Sequence, residues 1–416
     1  MDIPFSVIIL AFVFLLITFR RWGNLELKIW QIMSLGALLS ICTFQISIRR
    51  AVESINFEII FFLVGMFIVG EALYKSGYLS KISYHFFNKA NSTDKLLIYI
   101  IFLMGFFSAI LMNDTIAIIG TMVVIQFSKD HKIPAKILLL ALAYSITIGS
   151  VMSPIGNPQN LVIATSPALP HPFINFIKYL FIPTIINLYL IYLIIKIFYK
   201  EYFTSIPIVH KEPEIKDPKL ANLSKISLWI IIIMIFIKIF SYIFNISFHF
   251  ELVYIAIISS SIIILFSNRR WEILKSIDWY TIIFFIAMFI LMQSVWDSNF
   301  FQRYINKLNI HSLEIIFLIG IIVSQFISNV PLVILFLGFL GLNPTIPQLI
   351  ALAASSTIAG NFTILGAASN IIIIQNAERN KEHISVWEFT KLGMILTILS
   401  GLIYYGFIYL VDLYLK

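Results

Sequence analysis

Runs of about 17 to 25 predominantly apolar residues recur from one end of the chain to the other. At about 1.5 Å per residue, each is long enough to cross a hydrocarbon core about 30 Å thick. Lipid is therefore the main solvent of this fold: 60% of the 416 residues are hydrophobic and only 12% are charged, more apolar surface than a water-soluble interior could hide. With no water in the bilayer core, backbone amides must be satisfied within the spans. The expected fold class is an all-α polytopic membrane protein. The formal charge of +8 comes from lysines and arginines in the connections, where membrane orientation puts them, and does not indicate nucleic-acid binding. The lone Cys42 excludes an internal disulfide and a thiolate metal cluster.

Full spans are expected at residues 3–19, 29–47, 56–74, 134–164 (interrupted), 174–198, 226–245, 250–267, 278–296, 347–377 (interrupted) and 389–413. The first lacks a basic leader and reads as a retained helix rather than a cleaved signal. Two apolar regions, 96–128 and 312–340, are too long for one crossing and short for two. Each carries a polar centre, "MNDT" and "SNVP". Both are expected to be re-entrant helical hairpins with tips near mid-membrane, a geometry tolerated only where the exposed backbone is buried in protein or faces water. Lys75, Lys81, Lys89 and Lys95 precede the first hairpin and Lys129, Lys132 and Lys136 follow it, which places both of its ends in the cytoplasm. The basic residues put the 200–225 linker inside and both termini outside, with Arg49 and Arg50 as the exception.

The chain contains a duplication. Residues 54–68, "SINFEIIFFLVGMFI", align without a gap on 276–290, "SIDWYTIIFFIAMFI", with seven of fifteen positions identical. Further on, "SAILMND" (108–114) meets "SQFISNV" (324–330), and "TIGSVMSPIGNPQN" (147–160) meets "TIAGNFTILGAASN" (357–370). These blocks pair Asn113 with Asn329, Thr147 with Thr357, Gly156 with Gly366 and Asn160 with Asn370. Five crossings separate the two starts, so the copies are expected to face opposite ways. The organisation expected is N-terminal helices at 1–50, repeat 1 at 51–199, the linker at 200–225, further helices at 226–267 and repeat 2 at 268–416. Inverted copies with paired interruptions suit a secondary transporter, whose central site opens alternately to each side.

In "SPIGNPQN", Pro154 and Pro158 remove backbone donors and Gly156 allows a tight bend, so peptide groups that a continuous helix would consume are freed as ligands. Asp114 is the most telling single residue. A carboxylate deep in the membrane costs about 2.5–3.5 kcal/mol on an insertion scale, which either an ion-carrying role or a helix-capping role would have to offset. Thr115 lies beside it. Asn157, Asn160, Asn361, Thr363, Ser369 and Asn370 line the two breaks, and Asn113, Ser328 and Asn329 form the hairpin tips. A sodium ion at Asn113, Asp114 and Asn329 is a candidate bound ion, and no other cofactor is expected. Glu71, aligned with Gln293, is a second coupling candidate. Lys238 is expected to snorkel to the outer interface. No "HExxH", "GxSxG" or "GxxxxGK" pattern is present, which argues against a zinc hydrolase, a serine hydrolase and ATP-driven transport within this chain.

The segments "FFLVGMFIVGEALYKSGYL", "MNDTIAI", "SPIGNPQN", "SNVPLVILF" and "AGNFTILGAASNIIIIQNAE" resemble the ion transporter superfamily of arsenite permeases, D-type sodium/proton antiporters, citrate transporters and dicarboxylate/sodium symporters. The resemblance covers roughly residues 50–400. It implies two inverted repeats, each with a re-entrant hairpin and a broken helix, around a shared site. The Ser-Asn-Thr motif of dicarboxylate symporters stands here as Met112, Asn113, Asp114 and as Ser328, Asn329, Val330. Neither threonine is present, and the pattern is more similar to the arsenite-permease branch. The expected function is secondary transport of a small anion or oxyanion coupled to protons or sodium. A sodium/proton antiporter is the alternative, and a dicarboxylate symporter or a passive channel ranks lower. Expected partners are the small ion, the bilayer of the cell membrane and a second copy in a homodimer.

Overall fold

A computed structural model describes residues 3–18, 21–22, 25–87, 89–131, 133–203, 215–244, 246, 250–300, 311–327, 329–341 and 343–415. The described chain is helical apart from a two-residue antiparallel pairing of Arg21–Trp22 with Leu25–Glu26. The helices are α1 Phe5–Thr18, α2 Ile29–Cys42, α3 Ile48–Glu53, α4 Phe57–Ser76, α5 Tyr78–Phe87, α6 Thr93–Leu111, α7 Asn113–His131, α8 Ala135–Val151, α9 Pro158–Ala164, α10 Pro172–Phe198 and α11 Pro218–Ile243. They continue with α12 Val253–Phe266, α13 Arg270–Ser276, α14 Trp279–Asp297, α15 Leu313–Ile327, α16 Asn329–Leu340, α17 Ile346–Ile358, α18 Ala368–Arg379 and α19 Val386–Leu415. Among the described residues, α4, α6, α10, α11, α14 and α19 are each long and apolar enough to cross a membrane alone.

The first apolar hairpin extends beyond its hydrophobic stretch. Its arms α6 and α7 are 19 residues each, because polar residues at the outer ends join the helices: Ser92 caps α6 by accepting from Lys95 N, and Lys129 lies in the last turns of α7. The interruptions fall where the prolines and glycines put them, between α8 and α9 and between α17 and α18. In the second, two short 3-10 turns, Ala359–Asn361 and Ile364–Gly366, replace the prolines of the first.

Packing pairs the helices crosswise between the two aligned parts. α2 packs on α14 while α12 packs on α4; α7 packs on α18 while α16 packs on α9; α8 and α17 meet at the centre. The local signals repeat as well. Asn56 caps α4 by accepting from Ile59 N, and its counterpart Asp278 caps α14 by accepting from Thr281 N. Beyond the far ends, Gly77 and Asn299 both take positive φ. Lys75 at the end of α4 pairs with Glu272 before α14 at 2.9 Å. Asp297 at the end of α14 pairs with Arg50 before α4 at 3.3 Å. The start of each helix thus lies beside the end of the other, and the repeat register of 222 maps one ion pair onto the other with the charges exchanged. Arg50, which the charge rule did not explain, is neutralised by Asp297, and Arg49 by Glu53 at 2.9 Å.

Burial separates core from periphery. Nearly all of α8 is buried, whereas only 17% of the apolar window of α11 is, which leaves α11 facing lipid. Lys238 on α11 lies 4.7 Å from the ring centroid of Phe250, so its stem crosses apolar surface to reach an aromatic face near the helix end.

Candidate functional site

The chain turns between α6 and α7 on the single residue Met112, with φ 70° and ψ 144°. That backbone region is almost reserved for glycine and costs a side chain about 1–3 kcal/mol. The turn is held from outside: Asn113 N–H donates to the Gly156 carbonyl at 2.9 Å, and Met112 is fully buried. The first hairpin tip is therefore pinned to the first break by a backbone bond. It reaches the second break too, where Asn113 Nδ2 donates to Ser369 Oγ at 3.5 Å. Asp114 and Thr115 follow, both buried. A Cβ at Gly70 of α4 would lie 2.4 Å from Thr115 Cγ2, so only glycine there admits the tip.

The first break is knotted by asparagines. Asn157 caps α9, its Oδ1 accepting from Asn160 N at 2.8 Å, and its Nδ2 donates to Ser150 Oγ at 2.9 Å. Asn160 Nδ2 reaches back to the carbonyls of Ser150 and Ser153, both at 3.0 Å. Gly156 is required, because a Cβ there would lie 2.4 Å from the Ser150 carbonyl oxygen. Thr357, from α17 of the other repeat, closes the knot: its Oγ1 donates to Asn160 Oδ1 at 3.2 Å and accepts from Asn157 Nδ2 at 3.3 Å and Gln159 Nε2 at 3.4 Å.

The second break repeats half of this arrangement. Asn370 Nδ2 reaches back ten residues to the Gly360 carbonyl at 2.7 Å and seven to that of Thr363 at 3.5 Å, the same offsets that Asn160 uses. Gln325 of α15 braces the turn, its Nε2 donating to the Ala359 carbonyl at 2.8 Å while Thr363 Oγ1 donates to Gln325 Oε1 at 3.1 Å. The remaining amide groups stay open. Among the described residues, Asn113 Oδ1, Asn329 Oδ1, Asn370 Oδ1 and both side-chain polar atoms of Asn361 are buried with no hydrogen-bond partner. Buried amides without a partner in the protein cost about 1–3 kcal/mol each, which makes this cluster the candidate binding site.

Both breaks and the described hairpin tips thus converge, and Asn113, Asp114, Thr115, Asn157, Asn160, Asn329, Asn361, Thr363, Ser369 and Asn370 all lie in this region. Ser328 lies outside the described residues. Glu71 is drawn instead into an ion-pair chain at the end of α4, 3.5 Å from Lys75, which is itself paired with Glu272. Thr357, Gln325, Ser150 and Gln159 join the same network through contacts that no local sequence pattern marks. The repeated "TIG" and "TIA" blocks are the one sequence signal that points to Thr357.

The comparisons agree with this architecture. A family model described as citrate transporter matches residues 13–342. A 46 kDa membrane protein of Mycobacterium leprae is 24% identical over 83% of this chain and 84% of its own length. The silicon efflux transporter LSI3 of Oryza sativa is 35% identical over 34% of this chain and 29% of its own length. In three dimensions, the YdaH transporter of Alcanivorax borkumensis, described as having an unusual topology, matches with a TM-score of 0.55 at 12% identity, covering 97% of this chain and 96% of that one. That likeness concerns the fold. The chain is a multi-pass integral membrane protein that belongs to the citrate transporter family.

Proposed function

We propose that the chain is a secondary active transporter of a small anion or oxyanion, coupled to protons or sodium, built from two inverted repeats at 51–199 and 268–416. The observation that carries this reading is the meeting of hairpin tips and broken helices from both repeats around unpartnered, buried amides. A travelling ion would satisfy those groups, whereas a structural core would have paired them. Half-helix ends at each break add partial charges, positive at the N-termini of α9 and α18 and negative at the C-termini of α8 and α17.

A multiply charged citrate or dicarboxylate is disfavoured, because no lysine or arginine stands among the converging residues, and Asp114 and Val330 occupy the positions where dicarboxylate symporters carry threonine. A small oxyacid of low charge fits neutral amides and hydroxyls better. The relative named as a silicon efflux transporter supports that class. Asp114 is the ionisable group of the site and the coupling residue. Sodium/proton exchange is the second reading, favoured by the same carboxylate binding either cation in turn.

Reconstitution in sealed vesicles with an internal pH dye tests both. Saturable uptake of an oxyacid driven by a proton or sodium gradient is expected, and Asp114→Asn should abolish the coupling in a protein that still elutes as a folded species. A pH response to added sodium alone would mark an antiporter. Gradient-independent, non-saturating flux would refute transport by alternating access.

A further inference from the structure

The two hairpins do not meet the helix beside them in the same way. In repeat 1, Gly70 lets the tip close onto α4, and Thr115 fills the space a side chain would take. The register of 222 puts Met292 of α14 in the place of Gly70. Its side chain is buried, and a cavity of about 210 Å³ remains between α14 and α16, the second arm of the second hairpin. Phe289, Met292 and Trp296 form one wall, Ile334 and Leu335 the other. An apolar cavity of about 150 Å³ already holds benzene, so this one has room for a ring or the end of an alkyl chain. The polar part of its lining leads to charge. Gln293 lines the cavity and donates through Nε2 to Asp297 Oδ1 at 2.7 Å, and Asp297 Oδ2 accepts from Arg50 Nε at 3.3 Å. Ser54, also in the lining, directly follows α3, the short helix that carries Arg49 and Arg50.

The surroundings of α3 have the character of a membrane interface. Ile48 and Val52, four residues apart, are exposed together with Phe44 before the helix and Phe57 after it, while Ala51 is buried. Arg49 stands among them with its side chain 90% exposed. Exposed apolar residues interleaved with arginines suit the boundary between lipid headgroups and acyl chains. Arg49 spends only its Nε, on Glu53 at 2.9 Å. A guanidinium has five N–H donors, so the terminal nitrogens of Arg49 are open among the described residues. We propose that the cavity between α14 and α16 is a phospholipid site: the phosphodiester sits on Arg49 and Arg50, and one acyl chain runs past Gln293 into the cavity. The inference goes beyond the transporter reading and does not depend on it. It gives a ligand to the two arginines that oppose the orientation rule, because a phosphate complements them and the bilayer supplies it where α3 lies. The chain end then fills in repeat 2 the space that direct packing on Gly70 closes in repeat 1.

The test is native mass spectrometry and thermal unfolding of the detergent-purified full chain, titrated with dioctanoyl phosphatidylglycerol. A saturable bound lipid and a rising unfolding midpoint are expected, since a ligand of the native state stabilises by mass action. Ile334→Trp fills the cavity and should weaken that lipid at least about tenfold, the effect of losing about 1.4 kcal/mol of binding. Arg49→Gln is the independent variant should the larger ring disturb folding: its side chain is exposed, so the fold is kept. It should weaken the lipid by about threefold to fivefold, as the loss of one exposed charge contact does. Inorganic phosphate alone and octanol alone should give no saturable shift. Lipid binding unchanged in both variants would place the lipid elsewhere on the protein and overturn the assignment. A shift from inorganic phosphate equal to that from the lipid would reduce the site to a surface anion site, and one from octanol equal to it would leave a cavity without a headgroup; either overturns the proposal. So would the absence of any saturable lipid on the wild-type chain.

Discussion

Replacing Gly149 with alanine tests the contact that seats the first hairpin. On α8, Gly149 faces Gly105 of α6 so closely that a Cβ would stand 2.2 Å from the Gly105 carbonyl oxygen and 2.4 Å from its Cα. Carbon–oxygen contacts between backbones settle at about 3.3–3.6 Å, so the two helices would have to part by roughly 1 Å. A gap of that size forfeits about a quarter to a half of the dispersion attraction along the seam. Where flexible side chains can yield, overpacking costs about 1–3 kcal/mol; here the obstacle is main chain, so about 3 kcal/mol or more is expected. The bond from Ser108 Oγ to the Ile146 carbonyl, 2.6 Å long and spanning the same seam, would stretch with it. For a chain of this length the thermal midpoint should fall by about 5 °C, somewhat less per kcal/mol than in smaller domains. Uptake should fall as well, because the α6–α8 seam carries the hairpin to its 2.9 Å bond with Gly156. Gly406→Ala is the matched control: nothing lies within 4 Å of its Cβ position, and better helix propensity should leave it unchanged or stabilised by up to about 1 kcal/mol. A Gly149→Ala protein with wild-type midpoint and wild-type transport would refute the close-crossing account.

The charge-exchanged ion pairs that tie α4 to α14 make two further predictions. Reversing one partner, as in Arg50→Glu, should lower the thermal midpoint more than neutralising it in Arg50→Gln, and adding Asp297→Arg should recover most of the loss; a double reversal as unstable as the single one would mean the pair contributes nothing. At the other end, the Arg269 guanidinium and then Lys75 hold the Glu272 carboxyl down at about 2, below its usual 4.5. Its contribution is therefore complete above about pH 4.5 and fades as the pH falls towards about 2. The stability difference between the wild type and Glu272→Gln, followed by thermal unfolding across that range, should be flat near neutrality and shrink with acid, and a difference that grows with acid would contradict the assignment.

Much of the fold was legible in the chain because each signal is local. Hydrophobic length marked the spans. "MNDT" marked the turn at Met112, and "SPIGNPQN" marked the break, since proline and glycine act on the backbone they occupy. The caps Asn56 and Asp278 are set by residues three positions away, and the duplication made their equivalence visible before any coordinates. Gly70, Gly105 and Gly149 gave no such sign. Their importance is a missing side chain opposite a partner far away in sequence, which no local pattern encodes.

The sequence by itself determined a lipid-embedded helical chain, duplicated, with polar interruptions at 112–115, 153–160, 328–331 and 360–370, because hydropathy, backbone restriction and repetition are properties of neighbouring residues. Only the tertiary structure decided how two breaks with paired threonines and asparagines are used differently: Thr357 gives its hydroxyl to Asn160, while Thr147 keeps its own within α8. Rotating one threonine side chain changes no sequence pattern, yet it decides which asparagine oxygens are already bonded within the protein and which remain open.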